Sequence, residues 1–144
     1  MIAIDTSVLL RYLLWDNKVQ AAKADRLIAG STPVLITDVV LAKTVWTLKG
    51  RKYKLDKTTM IGVINSLFEE PNICFEDGQT VWHALNDYRT AKQVKVGNKK
   101  KGADFPDALI VNKAKYVAAE DGETLDGVYT FDVSAQVIPG IAMP

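Results

Sequence analysis

Ile2-Ala3-Ile4-Asp5-Thr6-Ser7-Val8-Leu9-Leu10-Arg11-Tyr12-Leu13-Leu14 holds two periodicities back to back. A short apolar run ends at Asp5. After the polar start signal Thr6-Ser7, Val8-Leu9-Leu10 and Leu13-Leu14 recur at the spacing of one helix face. The stretch therefore predicts a strand over residues 2–4 followed at once by a helix. An aspartate directly after such a strand belongs at the carboxyl edge of a parallel sheet, where loops and helix N-termini gather and ligands bind.

Reading outward, the same alternation continues. Residues 18–29 predict a surface helix with Asn17 as N-cap and Gly30 just past its end. Pro33 introduces a second strand, Val34-Leu35-Ile36, after which Thr37 or Asp38 caps a helix running to about Lys49, stopped by Gly50. Asp56 caps the next helix, which reaches Phe68 and ends before Pro71, and Ile73–Phe75 reads as a third strand. Residues 78–92 and 104–119 read as the last long helices, Val128–Phe131 as a strand ending at Asp132, and Val137–Ile138 as a candidate final strand. The segment from Lys92 to Gly102 reads as a loop. Short strands alternating with helices predict the α/β class, with a mainly parallel central sheet. At 144 residues one hydrophobic core is expected, so residues 1–144 are read as a single domain.

Composition restricts the chemistry. With 48% apolar and 24% charged residues the chain is an ordinary globular sequence, and a net charge of +1 argues against a uniformly basic nucleic-acid-binding surface. Cys74 is the only cysteine and His83 the only histidine, which excludes internal disulfides, Cys-based zinc sites and Ser-His-Asp triads. No apolar run approaches the roughly 18 residues of a membrane span, so no membrane partner and a cytoplasmic location are expected. Trp15, Trp46 and Trp82 are read as core or interface packing, His83 as a partly buried helix residue and Cys74 as a small buried hydrophobe.

Catalysis would then fall to carboxylates. Asp5 and Asp132 each follow an apolar strand, while Asp104 and Asp107 stand three apart at a helix start and share a face near its positive dipole end. Oxygen-only groups of this kind suit Mg²⁺ or Mn²⁺, which take a few carboxylates, keep waters and engage phosphate. The plain alternative is local: aspartates at helix starts are common N-caps, and aspartates after strands are common turn residues.

Taken together, Ile4-Asp5-Thr6-Ser7, the helical stretch Val40–Trp46, Gly102-Ala103-Asp104-Phe105-Pro106-Asp107-Ala108-Leu109-Ile110, Tyr129-Thr130-Phe131-Asp132 and the ending Ile138-Pro139-Gly140 resemble the PIN-domain ribonucleases, in particular the VapC-like toxins of toxin–antitoxin modules. The resemblance spans nearly the whole chain and implies a three-layer α/β/α domain. It implies Asp5, Asp107 and Asp132 as metal-site acids, Asp104 as a further carboxylate, and Thr6, Ser7 and Thr130 as hydroxyls that orient them or hold metal-bound water. It also implies Mg²⁺ or Mn²⁺ as cofactor, an RNA substrate, a cognate antitoxin and a homodimer.

One position departs from the family pattern. Lys43 stands where the family places a glutamate in the third helix. Its neighbours Val39, Val40, Leu41, Ala42, Val45, Trp46 and Leu48 make that helix apolar on most faces, so its charge needs either a route to solvent or a partner. The first reading has the stem snorkel to the surface; the second has the ammonium enter the acid pocket in place of a divalent ion. A weakened or inactive nuclease is the consequence of the second, and a non-catalytic PIN-like domain that binds RNA or protein is the alternative function. A second departure is the Lys-rich segment before Gly102, which reads either as a solvated loop or, with Arg89, Lys92, Lys99, Lys100 and Lys101, as an RNA-phosphate site. Receiver-like and dehalogenase-like phosphoryl-transfer folds are excluded, because neither an adjacent acidic pair nor an Asp-x-Asp motif surrounds Asp5.

Overall fold

The computed structural model describes residues 1–144. Strand β1 (Ile2–Ala3), helix α1 (Thr6–Leu14), helix α2 (Lys18–Ile28), strand β2 (Val34–Ile36), helix α3 (Asp38–Lys49), helix α4 (Lys57–Glu69) and strand β3 (Ile73–Phe75) follow in order. They build a parallel sheet of order β1-β2-β3, with Ile2 opposite Val34 and Val34 opposite Ile73. Each parallel neighbour is reached through a helix pair, since parallel strands need a long crossover. The α/β class and the parallel sheet read from the sequence hold.

The chain divides into two compact units, Met1–Gly78 and Gln79–Pro144. In the first, the central strand β2 is the most buried, with Val34 and Ile36 fully enclosed. Helix α3 buries Leu41, Thr44, Val45 and Leu48, which recur at i, i+3, i+4 and i+7 and so form one face. The helix starts follow their expected caps: Asn17, Thr37 and Asp56 each accept a backbone N–H from three residues on.

The second unit begins within helix α5 (Gly78–Thr90) and continues through strands β4 (Val94–Val96) and β5 (Lys99–Lys101), helix α6 (Phe105–Glu120), strand β6 (Val128–Tyr129), a 3₁₀ turn (Ala135–Val137) and strand β7 (Ile141–Ala142). Its core centres on Phe105, fully buried, with the Tyr88 ring edge-on to it at a 6.2 Å centroid separation. Strands β6 and β7 pair in parallel, and the turn into β7 needs Gly140, whose φ of +95° is a conformation side chains rarely adopt.

Five expectations are corrected. The segment 92–102 is not a plain loop, because β4 and β5 pair antiparallel around Gly97-Asn98, with Gly97 at a φ of +61° suited to the hairpin turn. Residues 137–138 close the 3₁₀ turn, and the last strand is β7. Trp15, Trp46 and Trp82 are exposed, at 50%, 71% and 43%, which removes the core half of their reading and leaves the interface half. His83 is exposed as well, because α5 turns Val81, Ala84, Leu85 and Tyr88 inward, and Cys74 is half-buried like its β3 neighbours Ile73 and Phe75.

Candidate functional site

Asp5 follows β1 and caps α1. Its Oδ1 accepts the Ser7 hydroxyl at 2.7 Å and the Val8 N–H at 3.1 Å. These donors, with the Ser7 hydroxyl the largest influence, hold its pKa below the usual 3.8, and the Lys43 charge acts in the same direction. Asp5 is thus an anion at neutral pH, fixed through one oxygen.

Lys43 lies off the buried face of α3. It shares the solvent-facing stripe with Val39 and Trp46, exposed at 74% and 71%. Its backbone carbonyl accepts the Thr47 hydroxyl, and Lys43, Trp46 and Thr47 border a surface cavity of about 540 Å³. The side chain reaches solvent, as the first reading of Lys43 has it, and its charge is a minor influence on Asp5. At the same edge of the parallel sheet, Glu76 follows β3 and accepts the Asp38 N–H at 2.8 Å, an acid the sequence reading passed over because no motif carries it.

The second unit holds the other acids. Asp104 caps α6 in a reciprocal box: its Oδ1 accepts the Asp107 N–H at 3.1 Å and Asp107 Oδ2 accepts the Asp104 N–H at 2.9 Å. Asp107 is half-buried, and its pKa is raised from 3.8 to about 6, first by burial, with the carboxylates of Asp104 and Asp132 adding repulsion. Asp132 lies in the opposite state. Its Oδ1 accepts both the hydroxyl and the N–H of Ser134, at 2.7 and 2.9 Å, and these bonds lower its pKa, with Lys101 assisting. Thr130 Oγ1 accepts the Asp132 N–H at 3.0 Å and so fixes the backbone that carries the acid.

Of the expected hydroxyls, Ser7 touches its carboxylate directly and Thr130 acts on the backbone, whereas Thr6 is a buried residue of the first turn of α1. Ser134 was missed. Its signal lies in the sequence nevertheless: Asp5-Thr6-Ser7 and Asp132-Val133-Ser134 both place a serine two residues after the acid, the spacing of an Asx turn. A second missed pair is Asn112, whose side-chain amide donates to Asp87 Oδ2 at 2.9 Å and ties α6 to α5.

Electrostatically, a half-buried carboxyl that resists ionisation beside two other acids is an environment that a cation would relieve. The donors are all hard oxygens, the set that Mg²⁺ and Mn²⁺ select. No group of three or more His, Cys, Asp or Glu side chains is gathered closely enough to cage a metal unaided. Waters and a substrate phosphate would have to complete the coordination, which is the habit of Mg²⁺. The donor chemistry fits such an ion.

The sequence pattern of the PIN domain matches residues 2–132, from β1 to Asp132. The chain belongs to the PIN domain family. PIN domains are generally metal-dependent nucleases that act on RNA, typically with Mg²⁺ or Mn²⁺. No curated protein matches the chain significantly. The PIN match runs through both compact units and takes in Asp5, Lys43, Asp104, Asp107 and Asp132. No helix is long and apolar enough to cross a membrane.

Proposed function

We propose that this PIN domain, taken as one domain over residues 1–144, is a Mg²⁺- or Mn²⁺-dependent endoribonuclease of the VapC-like toxin type whose activity Lys43 restrains. The observation that carries this reading is the place of Asp107, half-buried at the start of α6 in a reciprocal cap with Asp104 and within the electrostatic reach of Asp132, where burial pushes its carboxyl up to about 6. Proton and metal compete for such a group, and a divalent ion is the natural counter-charge.

In this reading Asp5, Asp107 and Asp132 are the metal ligands and Asp104 is the supporting carboxylate. The bound ion would supply a more acidic water and charge stabilisation on the phosphate. The chain's own residues do the positioning. Ser7 and Ser134 each hold one oxygen of their acid so that the other is presented, and Thr130 fixes the backbone at Asp132. The Asp104–Asp107 box locks the first turn of α6, which sets where Asp107 points.

Lys43 contributes a positive charge where the family resemblance expects a negative one. That reversal of charge is the ground for a second reading, a PIN-like domain that binds RNA or protein without cutting. A protein partner, with a cognate antitoxin as the proposal, is supported by the first unit's surface. Trp15, Val19 and Leu27 are exposed there, and α1 and α2 border a cavity of about 440 Å³ lined by Val8, Arg11 and Leu27. A homodimer and a cytoplasmic setting complete the proposal.

Calorimetry and an RNA-cleavage assay on the wild type and Lys43→Glu test it together. Exchanging one positive for one negative charge should tighten Mg²⁺ binding and raise Mg²⁺-dependent cleavage. Equal metal affinity and equal activity would remove Lys43 from the account, and no cleavage by either form at saturating Mg²⁺ would favour the binding-only reading.

A further inference from the structure

Half of the residues of the β4–β5 hairpin, Val94 to Lys101, are lysines. Lys92, Lys95, Lys99, Lys100 and Lys101 place five of the chain's 18 basic residues in this short segment, and no acid interrupts it from Thr90 to Ala103. The chain as a whole carries only +1, so the charge is concentrated here and not spread over the surface. The arrangement is also electrostatically unfavourable by itself. Lys95 stands directly opposite Lys100, and like charges in that position destabilise a strand pair. Only Val94 and Val96 offer apolar area in return, and both are merely half-buried.

The register sorts the lysines into two faces. Residues directly opposite in an antiparallel pair share a face, and neighbours along a strand alternate. Val94, Val96, Lys99 and Lys101 therefore lie on one face and Lys95 and Lys100 on the other. The half-burial of the two valines turns the first face toward the body of its unit, while Lys99 and Lys101 remain exposed at its rim. From Lys101 the chain needs only Gly102 and Ala103 to reach the α6 cap at Asp104, a span of at most roughly 11 Å. Lys101 also lies within electrostatic reach of Asp132.

We propose that the Lys99–Lys101 face of the hairpin is a phosphate-binding track that carries single-stranded RNA onto the acids of the second unit, with Lys95 and Lys100 on the opposite face outside the track. Polyanionic RNA is repelled by Asp104, Asp107 and Asp132, and cations at the rim offset that repulsion where the backbone must approach. Lys101 is a positioning residue in this scheme, since it stands between the RNA backbone and Asp132. The proposal rests on the ribonuclease reading for its substrate, but its binding step needs no metal and no bond cleavage.

The test is equilibrium binding of a fluorescein-labelled single-stranded RNA oligonucleotide in EDTA, measured over a range of salt for the wild type, Lys99→Ala/Lys101→Ala and Lys95→Ala/Lys100→Ala. All four positions are exposed, so both double variants should keep the fold. Each phosphate contact on a single strand adds about 0.7 to the salt slope, so losing two should flatten it by about 1.4. For each tenfold reduction in salt the wild type should then gain about 25-fold more affinity than the Lys99/Lys101 variant. The Lys95/Lys100 variant should lose less than half of that slope. In cleavage, the Lys99/Lys101 variant should raise KM by a larger factor than it lowers kcat. An unchanged slope in the Lys99/Lys101 variant, or equal flattening in both variants, overturns the track. Equally tight binding of polyglutamate or of phosphatidylserine vesicles, with the same loss in the variant, overturns RNA as its ligand. RNA binding with the expected slopes but no cleavage, even by Lys43→Glu, would leave the track standing and count against the nuclease reading alone.

Discussion

Asp107→Asn removes the charge from the one carboxyl that the fold makes reluctant to ionise, and it leaves the geometry nearly unchanged. The amide oxygen can still accept the Asp104 N–H, and the Asp107 backbone N–H still donates to Asp104, so the helix cap survives. A pKa that rises from 3.8 to about 6 on folding corresponds to at most about 3 kcal/mol, at 1.36 kcal/mol per pH unit. Asp107 is only half withdrawn from water and shares its proton affinity with Asp104, and solvent screening reduces the expectation to about 1–1.5 kcal/mol. The native state binds the proton more tightly than the unfolded chain does. Wild-type stability from this group therefore falls as pH rises from about 4 to about 6, and it stays low above that range. The variant lacks this slope. In urea titrations from pH 4 to pH 8 it should match the wild type near pH 4 and exceed it by about 1–1.5 kcal/mol at pH 7.5, or about 2–6 °C in Tm. A variant no more stable than the wild type at pH 7.5, or one with the same advantage at pH 4, would refute the claim that Asp107 is strained by ionisation.

Three further outcomes follow from packing and hydrogen bonding. Phe105→Ala empties the centre of the second unit beneath Tyr88 and should cost about 3–5 kcal/mol in chemical denaturation; a loss under 1 kcal/mol would place the core elsewhere. Asn112→Ala leaves the Asp87 carboxylate without its amide donor from α6 and should destabilise by about 1–3 kcal/mol, and a neutral result would make that link between the helices dispensable. Ser134→Ala should raise the pKa of Asp132, followed by NMR titration of its carboxyl carbon, because the serine hydroxyl is the largest influence holding it down. An unmoved midpoint would mean that the backbone donors suffice.

Much of this architecture is written in local sequence. The step from Ile4 to Asp5-Thr6-Ser7 determines strand, cap and helix together, because a β-period run, an N-cap side chain and a helical stripe are all short-range signals. Asn17, Thr37, Asp56 and Asp104 mark their helices for the same reason. The aspartates proposed for the site were named from the sequence, and the PIN pattern runs through all of them from β1 to Asp132. The protonation states of those acids were not. Asp107 and Asp132 are the same residue type, yet burial beside other carboxylates raises one and the Ser134 donors lower the other.

Side-chain direction was equally beyond the sequence. Helix α3 is apolar almost all round, so its composition does not say which stripe faces inward; packing buries Leu41, Thr44, Val45 and Leu48 and thereby turns Lys43 and Trp46 to solvent. The Lys92–Gly102 segment has a loop's composition, and only the pairing of β4 with β5 reveals a hairpin that sorts its lysines into two faces. The sequence by itself determined where the strands β1 to β3, the helix caps and the acids lie along the chain, because those depend on neighbours a few residues away, whereas β4, β5 and β7 emerge only from pairing. Only the tertiary structure decided which of them are anionic and which way Lys43 and the hairpin lysines point, because charge and orientation depend on groups that the fold, and not the chain order, brings near.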